Sequence, residues 1–190
     1  AVTALSAVNV NHPENSSSVS PTYTVTDPDC VTPTGSPVGT DDPTFCASAF
    51  SVSGGTDQGE FDTTPINAAT GALTFDTAPN FEDPADANTN GVYEITVSVT
   101  DTVATVSGSF LITITDVNEV VTSLTAGPVS HPENGVGPFT PAYTVNDEDC
   151  LPIPVGKSVP AGTDDLTFCA DAFSVSAGKD EGELDATAIV

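Results

Sequence analysis

The sequence predicts an all-β protein built of antiparallel Greek-key sandwiches in tandem, the second of them incomplete. Three observations carry this. The composition suits strands joined by turns: Gly 15 and Pro 16 punctuate a chain rich in Val and Thr, with Met 0 and Trp 0. From Tyr93 onward, Tyr93, Ile95, Val97 and Val99 alternate with Glu94, Thr96, Ser98 and Thr100, the period of a strand with one buried and one wet face. Long segments of the chain also recur, the mark of a repeated folding unit.

Taken in order, the first predicted strand runs from Leu5 to Val10 and the second from Thr22 to Thr26. Ala47 to Ser53 is the third and Gly59 to Thr63 a short fourth. The fifth, Ala72 to Asp76, follows a turn at Ala69-Thr70-Gly71. The sixth is the alternating segment from Tyr93, and the seventh places Phe110, Ile112 and Ile114 on one face. No segment has a helical period. About seven short strands separated by turn residues fit an antiparallel Greek-key sandwich.

The repeat sets the domain boundaries. His12-Pro13-Glu14-Asn15 returns as His131-Pro132-Glu133-Asn134, and Tyr23-Thr24-Val25 as Tyr143-Thr144-Val145. Gly39-Thr40-Asp41-Asp42 returns as Gly162-Thr163-Asp164-Asp165, and Phe50-Ser51-Val52-Ser53 as Phe173-Ser174-Val175-Ser176. The offset grows along the chain, so the second copy carries small loop insertions. Residues 1–121 form one unit and 122–190 the first part of another. The second unit reaches Val190 where the first had reached Asn67, and half a sandwich leaves open strand edges. The expectation is continuation into further repeats, with strand donation by a neighbouring chain as the alternative.

Charge narrows the function. The chain has 27 acidic side chains against 2 Lys+Arg, a formal net charge of -25. Nucleic acid and anionic membrane surfaces need Lys and Arg and are poor partners for such a chain. No apolar run approaches the roughly 20 residues that span a bilayer, and no charged start precedes an apolar core, so mature material without a signal peptide is the expectation. Cations are the natural counterpart. Hydrophobic residues make up 38%, so this is a folding chain rather than a disordered acidic tail.

The acids gather where strands end: Glu14, Asp27 and Asp29, Glu82 and Asp83, Asp101, and Asp116 with Glu119. Calcium takes about six to eight oxygens from several chain segments, and strand ends at one pole of a sandwich supply such a set. Without a cation, these carboxylates would repel one another. The ordered series Pro13-Glu14-Asn15, Asp27-Pro28-Asp29, Asn80-Phe81-Glu82, Thr100-Asp101-Thr102 and Asp116-Val117-Asn118-Glu119 resembles the calcium motif set of cadherin repeats. Phe61-Asp62 and Thr70-Gly71-Ala72-Leu73 are similar to the middle of such a repeat. The closing Asp-Val-Asn-Glu is similar to cadherin-like repeats of large bacterial or archaeal surface proteins.

That resemblance implies an immunoglobulin-like, seven-stranded cadherin sandwich with Ca2+ between consecutive repeats. Carried over by position, Glu14, Glu82, Asp116, Asn118 and Glu119, with the carbonyl of Val117, face the junction from the first repeat. Asp147 and Asp149 reach it from the second, while Asp27, Asp29 and Asp101 serve the preceding junction. Asn80 stands where the family has an Asp ligand, and Val120 where it has an Asn; both lower the expected number or affinity of ions.

Four cysteines permit several pairings. The repeat selects Cys30 with Cys46 and Cys150 with Cys169, each pair flanking the equivalent insertion between the second and third strands. Two such bonds imply an oxidising, extracellular setting, each worth roughly 3 kcal/mol on the chain-entropy model. The insertion is either a stapled loop or a specialised contact surface. His12 and His131 are expected to be exposed residues near strand ends. Asn15-Ser16-Ser17 fits a glycosylation acceptor, a short and unspecific pattern.

The expected function is an extracellular structural or adhesive repeat protein, a calcium-rigidified rod or filament on the cell surface. Its partners are further repeats of the same chain or identical neighbouring chains, with a cell-surface partner or glycan beside them. The alternative is a calcium-dependent carbohydrate-binding module, which usually needs aromatic platforms; the chain has Trp 0 and Tyr 3. No substrate cleft, Ser/His/Asp set, phosphate loop or haem motif points to an enzyme.

Overall fold

The computed structural model describes residues 1–28, 49–101, 103–128, 130, 133, 143–150 and 156–158. The chain divides into two compact units: Ala1–Val117 with Ile153–Asp165, and Asn118–Pro152 with Leu166–Val190. Of Ile153–Asp165 only 156–158 are described.

The first unit is a β-sandwich. Its strands are β1 (Ala4–Ala7), β2 (Val10–Pro13), β3 (Ser18–Val19), β4 (Tyr23–Thr26), β5 (Ala49–Gly54), β6 (Phe61–Ile66), β7 (Leu73–Phe75), β8 (Val92–Thr100) and β9 (Thr105–Thr115). One sheet has the order β2-β9-β8-β5, the other β3-β7-β6, and β1 pairs with β4. Consecutive strands β5 and β6, and again β7 and β8, lie in different sheets, the crossing expected of a Greek key. Between β5 and β6 stands the 3-10 turn Gln58–Glu60.

Alternation in β8 matches the pattern read from sequence. Tyr93, Ile95, Val97 and Val99 are buried, and β8 pairs antiparallel with β9 from Val92↔Thr113 to Thr100↔Thr105. Ser98 departs from the pattern: it is buried on the polar face, its hydroxyl bonded to Ser53 Oγ and close to Ser107 Oγ. Phe110, Ile112 and Ile114 of β9 face the same core, as predicted. Across the sandwich they meet Val19, Leu73, Phe75 and Phe61, with Phe61 stacked on Phe75 at 4.4 Å and Tyr93 edge-on to Phe75 at 5.0 Å.

The predicted first strand, Leu5 to Val10, is corrected. It breaks into β1 and β2, which belong to different sheets: β1 pairs with β4, whereas β2 runs parallel to β9. Val8 and Asn9 make the crossing, with Asn9 Oδ1 accepting the Leu111 amide at 3.0 Å. Pro13 is tolerated at the end of β2 because that strand lies at the sheet edge. The two-residue strand β3 carries no periodic signal and was not foreseen.

Local chemistry fixes the turn before β7. Asn67 Oδ1 accepts the amides of Ala69 and Thr70, and its carbonyl accepts the Gly71 amide. Gly71 has φ +72, and a Cβ there would lie 2.4 Å from the Tyr23 ring. Tyr23 in turn donates its hydroxyl to the Gly71 carbonyl at 2.9 Å.

In the second unit, β10 (Ser123–Ala126) pairs antiparallel with β11 (Tyr143–Asn146), followed by the 3-10 turn Glu148–Cys150. The ladder repeats that of β1 and β4: Ser123↔Asn146 to Ala126↔Tyr143 parallels Ala4↔Thr26 to Ala7↔Tyr23. Thr3 and Thr122 even make the same bonds beyond their strands, from amide and hydroxyl to the carbonyls of Thr26 and Asn146.

Candidate metal centre

The first unit gathers Glu14, Glu82 and Asp116 at one pole. Glu14 directly follows β2, Asp116 directly follows β9, and the parallel pairing of these strands, ending at Pro13↔Thr115, brings the two acids to one edge. Glu82 arrives from the loop between β7 and β8. Glu14 is 3% exposed and Glu82 8%. Both oxygens of Glu14 are held by backbone: Oε2 accepts the Phe81 amide at 2.8 Å and Oε1 the Val117 amide at 2.9 Å. One carboxylate thus ties β2, the β7–β8 loop and the end of β9 together.

Carboxylate oxygens of Glu14 and Glu82 lie within 4.8 Å of each other, as do those of Glu82 and Asp116. Calcium–oxygen distances of about 2.3–2.6 Å place two ligands of one ion at most about 5 Å apart, so each pair can share a cation. The donors are all oxygens, which suits a hard cation over zinc. The described residues contain one Lys and no Arg, and that Lys157 is engaged by Asp83 and the Pro84 carbonyl. The donor set therefore fits Ca2+: carboxylate oxygens close enough to share one hard cation.

Val117 is 38% exposed, and its amide is the donor to Glu14. Asn80 turns inward on its own loop, Oδ1 accepting the Asp83 amide at 2.7 Å. In the second unit, Asn118 is exposed, Glu119 is half-buried, and the Glu119 amide donates to Asp149 Oδ2 at 3.1 Å. Asp147 is 2% exposed and its carbonyl accepts the Cys150 amide.

At the other pole of the first unit the structure brings Asp27 and Asp101 together. The Ala1 amino group lies 3.9 Å from Asp27 Oδ1 and 3.9 Å from Asp101 Oδ2. Asp101 Oδ1 accepts the amides of Ala104 and Val103 at 2.6 Å each, and Oδ2 that of Val2 at 2.5 Å. The Ala104 amide foremost, then those of Val103 and Val2, hold its carboxyl below the ordinary Asp value against the opposing effect of desolvation. Asp29, Cys30, Cys46 and Cys169 lie outside the described residues; Cys150 closes the 3-10 turn Glu148–Cys150. Asn15 is exposed in a left-handed turn, φ 59, a conformation Asn tolerates.

Two buried acids were missed. Asp57 accepts the amides of Ala87 (2.6 Å) and Glu94 (2.7 Å), while Asp86 accepts those of Asn90 and Gly91 at 2.9 Å each. They organise the β7–β8 loop. The Asn90-Gly91 turn after Asp86 was the available signal. His12 is corrected: it is buried at 5%, with Nε2 2.7 Å from the Ser16 carbonyl and its ring 5.9 Å from Phe75. It sits on the core face of β2, not at an exposed strand end.

No family model matches the sequence, and no curated protein matches it. Among solved structures, a protocadherin gamma B2 fragment of extracellular cadherin domains 3–6 matches at TM-score 0.44 and 17% identity, over 78% of this chain and 30% of that one. Domains EC1–2 of human protocadherin-24 match at TM-score 0.42 and 18% identity, over 76% of this chain and 60% of that one. A SusE-like, surface-located polysaccharide-binding protein of Bacteroides thetaiotaomicron matches at TM-score 0.36 and 15% identity, over 65% of this chain and 16% of that one. The chain thus spans less than two thirds of each. With TM-scores below 0.5, the fold rests on the strand order and register described above.

Proposed function

We propose that this chain is part of an extracellular structural or adhesive protein of cadherin-like repeats, in which Ca2+ stiffens successive sandwiches. The observation that carries the reading is that the buried Glu82 carboxylate lies within 4.8 Å of the buried Glu14 carboxylate and of the half-buried Asp116 carboxylate at one pole of the first unit. The sequence resemblance to cadherin motifs adds the second half. In this reading Glu14, Glu82 and Asp116, with Val117, Asn118 and Glu119, hold Ca2+ together with Asp147 and Asp149. Asp27, Asp29 and Asp101 serve an equivalent site before the first repeat.

When bound, the ion supplies positive charge and a coordination shell that fixes its ligands. The rest falls to the chain's own groups. Backbone amides of Phe81 and Val117 aim the Glu14 carboxylate, so the site's shape is set before any ion arrives. Removal of the ion leaves carboxylates that repel. Filaments or rods follow from repetition of this unit, and the partners are further repeats or identical chains.

Small-angle scattering of the full chain with and without chelator tests the proposal. Extended, stiffer particles are expected with calcium and more flexible ones without it. Identical profiles, or calorimetry showing no calcium binding at millimolar ion, would sink it.

A further inference from the structure

The first unit includes a short stretch of chain from far along the sequence. Gly156-Lys157-Ser158 lies between Cys150 and Cys169, inside the insertion of the second repeat, yet it belongs to the compact unit of Ala1–Val117. The loop between β7 and β8 receives it. Lys157 pairs with the Asp83 carboxylate and donates to the Pro84 carbonyl at 2.7 Å. Ser158 donates its amide to the Thr89 carbonyl at 2.8 Å, and the Thr89 hydroxyl is shared between the Gly156 carbonyl at 2.9 Å and the Asn88 carbonyl at 2.8 Å. Every one of the three tip residues makes a directional polar contact.

The receiving surface is built independently of the tip. Asp86 caps the amides of Asn90 and Gly91, and Asp57 ties Ala87 and Glu94. Thr89 has φ 56, a left-handed value that a β-branched residue seldom adopts unless its surroundings impose it. Such strain concentrates where a chain contacts a partner or ligand. The charge is selective too, since the chain has only 2 Lys+Arg among 27 acids. The segment between Cys30 and Cys46 reads Gly35-Ser36-Pro37 where the second reads Gly156-Lys157-Ser158, and contains no Lys or Arg. It cannot make this ion pair.

We propose that Gly156-Lys157-Ser158 is a docking tip that occupies the Asp83–Thr89 surface as a charge-dependent clasp that needs no calcium. The tip is then an interaction element. Nothing in this depends on the calcium reading.

Carbodiimide coupling of the full chain, stripped of divalent ions by chelating resin, tests it directly. A docked Lys157 couples mainly to Asp83 of its own chain, and Asp83→Asn abolishes that amide. Coupling scattered over many carboxylates, unchanged in Asp83→Asn, would overturn the clasp. So would Lys157–Asp83 amides found only between chains when isotopically labelled and unlabelled protein are mixed. Hydrogen exchange gives an independent reading: the Ser158 amide is expected to exchange about twofold to fivefold faster in Lys157→Ala, the scale of a partly exposed ion pair. An unchanged Ser158 rate counts against the proposal. Asp83 is largely exposed, 63% at its side chain, so Asp83→Asn leaves the sandwich folded.

Discussion

Glu14 is the residue on which most depends. Its two oxygens accept amides from the β7–β8 loop and from the chain after β9, so it is a structural tie and a candidate ligand at once. Glu14→Ala leaves two amides without their acceptor and should destabilise the first unit by about 2 kcal/mol or more, seen in urea melts without calcium. Asp116→Asn separates the roles. It should leave the calcium-free melt unchanged and weaken calcium binding by at least about tenfold, the scale on which even outer-shell partners act; calorimetry measures it. Loss of the fold would instead make Asp116 structural.

Tyr93 offers a test of the core. Burial pushes its phenol up to about 12 from 10.0, with the Ala85 backbone opposing and Asp86, Glu60 and Asp57 adding. Burial raises Tyr23 as well. A raised folded pKa favours the neutral phenol, so this stabilisation is complete below pH 10.0 and is lost as pH rises through about 12. Phenolate absorbance and circular dichroism should therefore change together at strongly alkaline pH. Early phenolate formation with the sheet signal intact would show that the ring is not sealed.

Elements show where sequence patterns suffice and where they fail. The long alternating strands β8 and β9 were legible because side-chain direction alternates with every residue, and a buried face must then be apolar every second position. The turn at Ala69-Thr70-Gly71 was legible because Gly has a local reason to be there, whereas the Asn67 side chain that caps it was not read from the sequence. Gly71→Val should cost about 1–3 kcal/mol, from φ +72 and the Tyr23 ring 2.4 Å from the added Cβ; a thermal melt checks it. The break between β1 and β2 was not legible. Strand propensity continues through Ala7-Val8-Asn9-Val10, and only the competition between two sheets decides where the chain crosses. His12 was misplaced for the same reason, because its face is set by the register Val10↔Ile112 of β2 on β9.

At the scale of the whole molecule the governing quantity is the formal charge of -25. Like charges at this density oppose compaction, and mobile ions screen them over about 8–10 Å at moderate ionic strength. Monovalent salt should therefore raise the melting temperature by several degrees. Calcium at far lower concentration should raise it further, since a specific site adds binding energy to screening. Equal effects of sodium and calcium at equal ionic strength would leave only screening.

The sequence by itself determined the strand-rich class, the return of Tyr23-Thr24-Val25 as Tyr143-Thr144-Val145, and the strand-end acids Glu14, Asp27, Asp101 and Asp116; Glu82 and Asp83, expected there too, lie inside the β7–β8 loop. Those features are local or periodic, so each residue reports its own environment. Tertiary structure alone decided which acids become neighbours. Glu14 and Asp116 are far apart in the chain and reach the same sheet end only because β2 lies parallel beside β9. Asp57 and Asp86 resemble the candidate ligands in composition and, like Glu14, accept loop amides, but neither belongs to a carboxylate cluster among the described residues. The docking of Lys157 on Asp83 has no sequence signature either. Proximity across sheets and loops is a property of register and packing, which no single strand encodes.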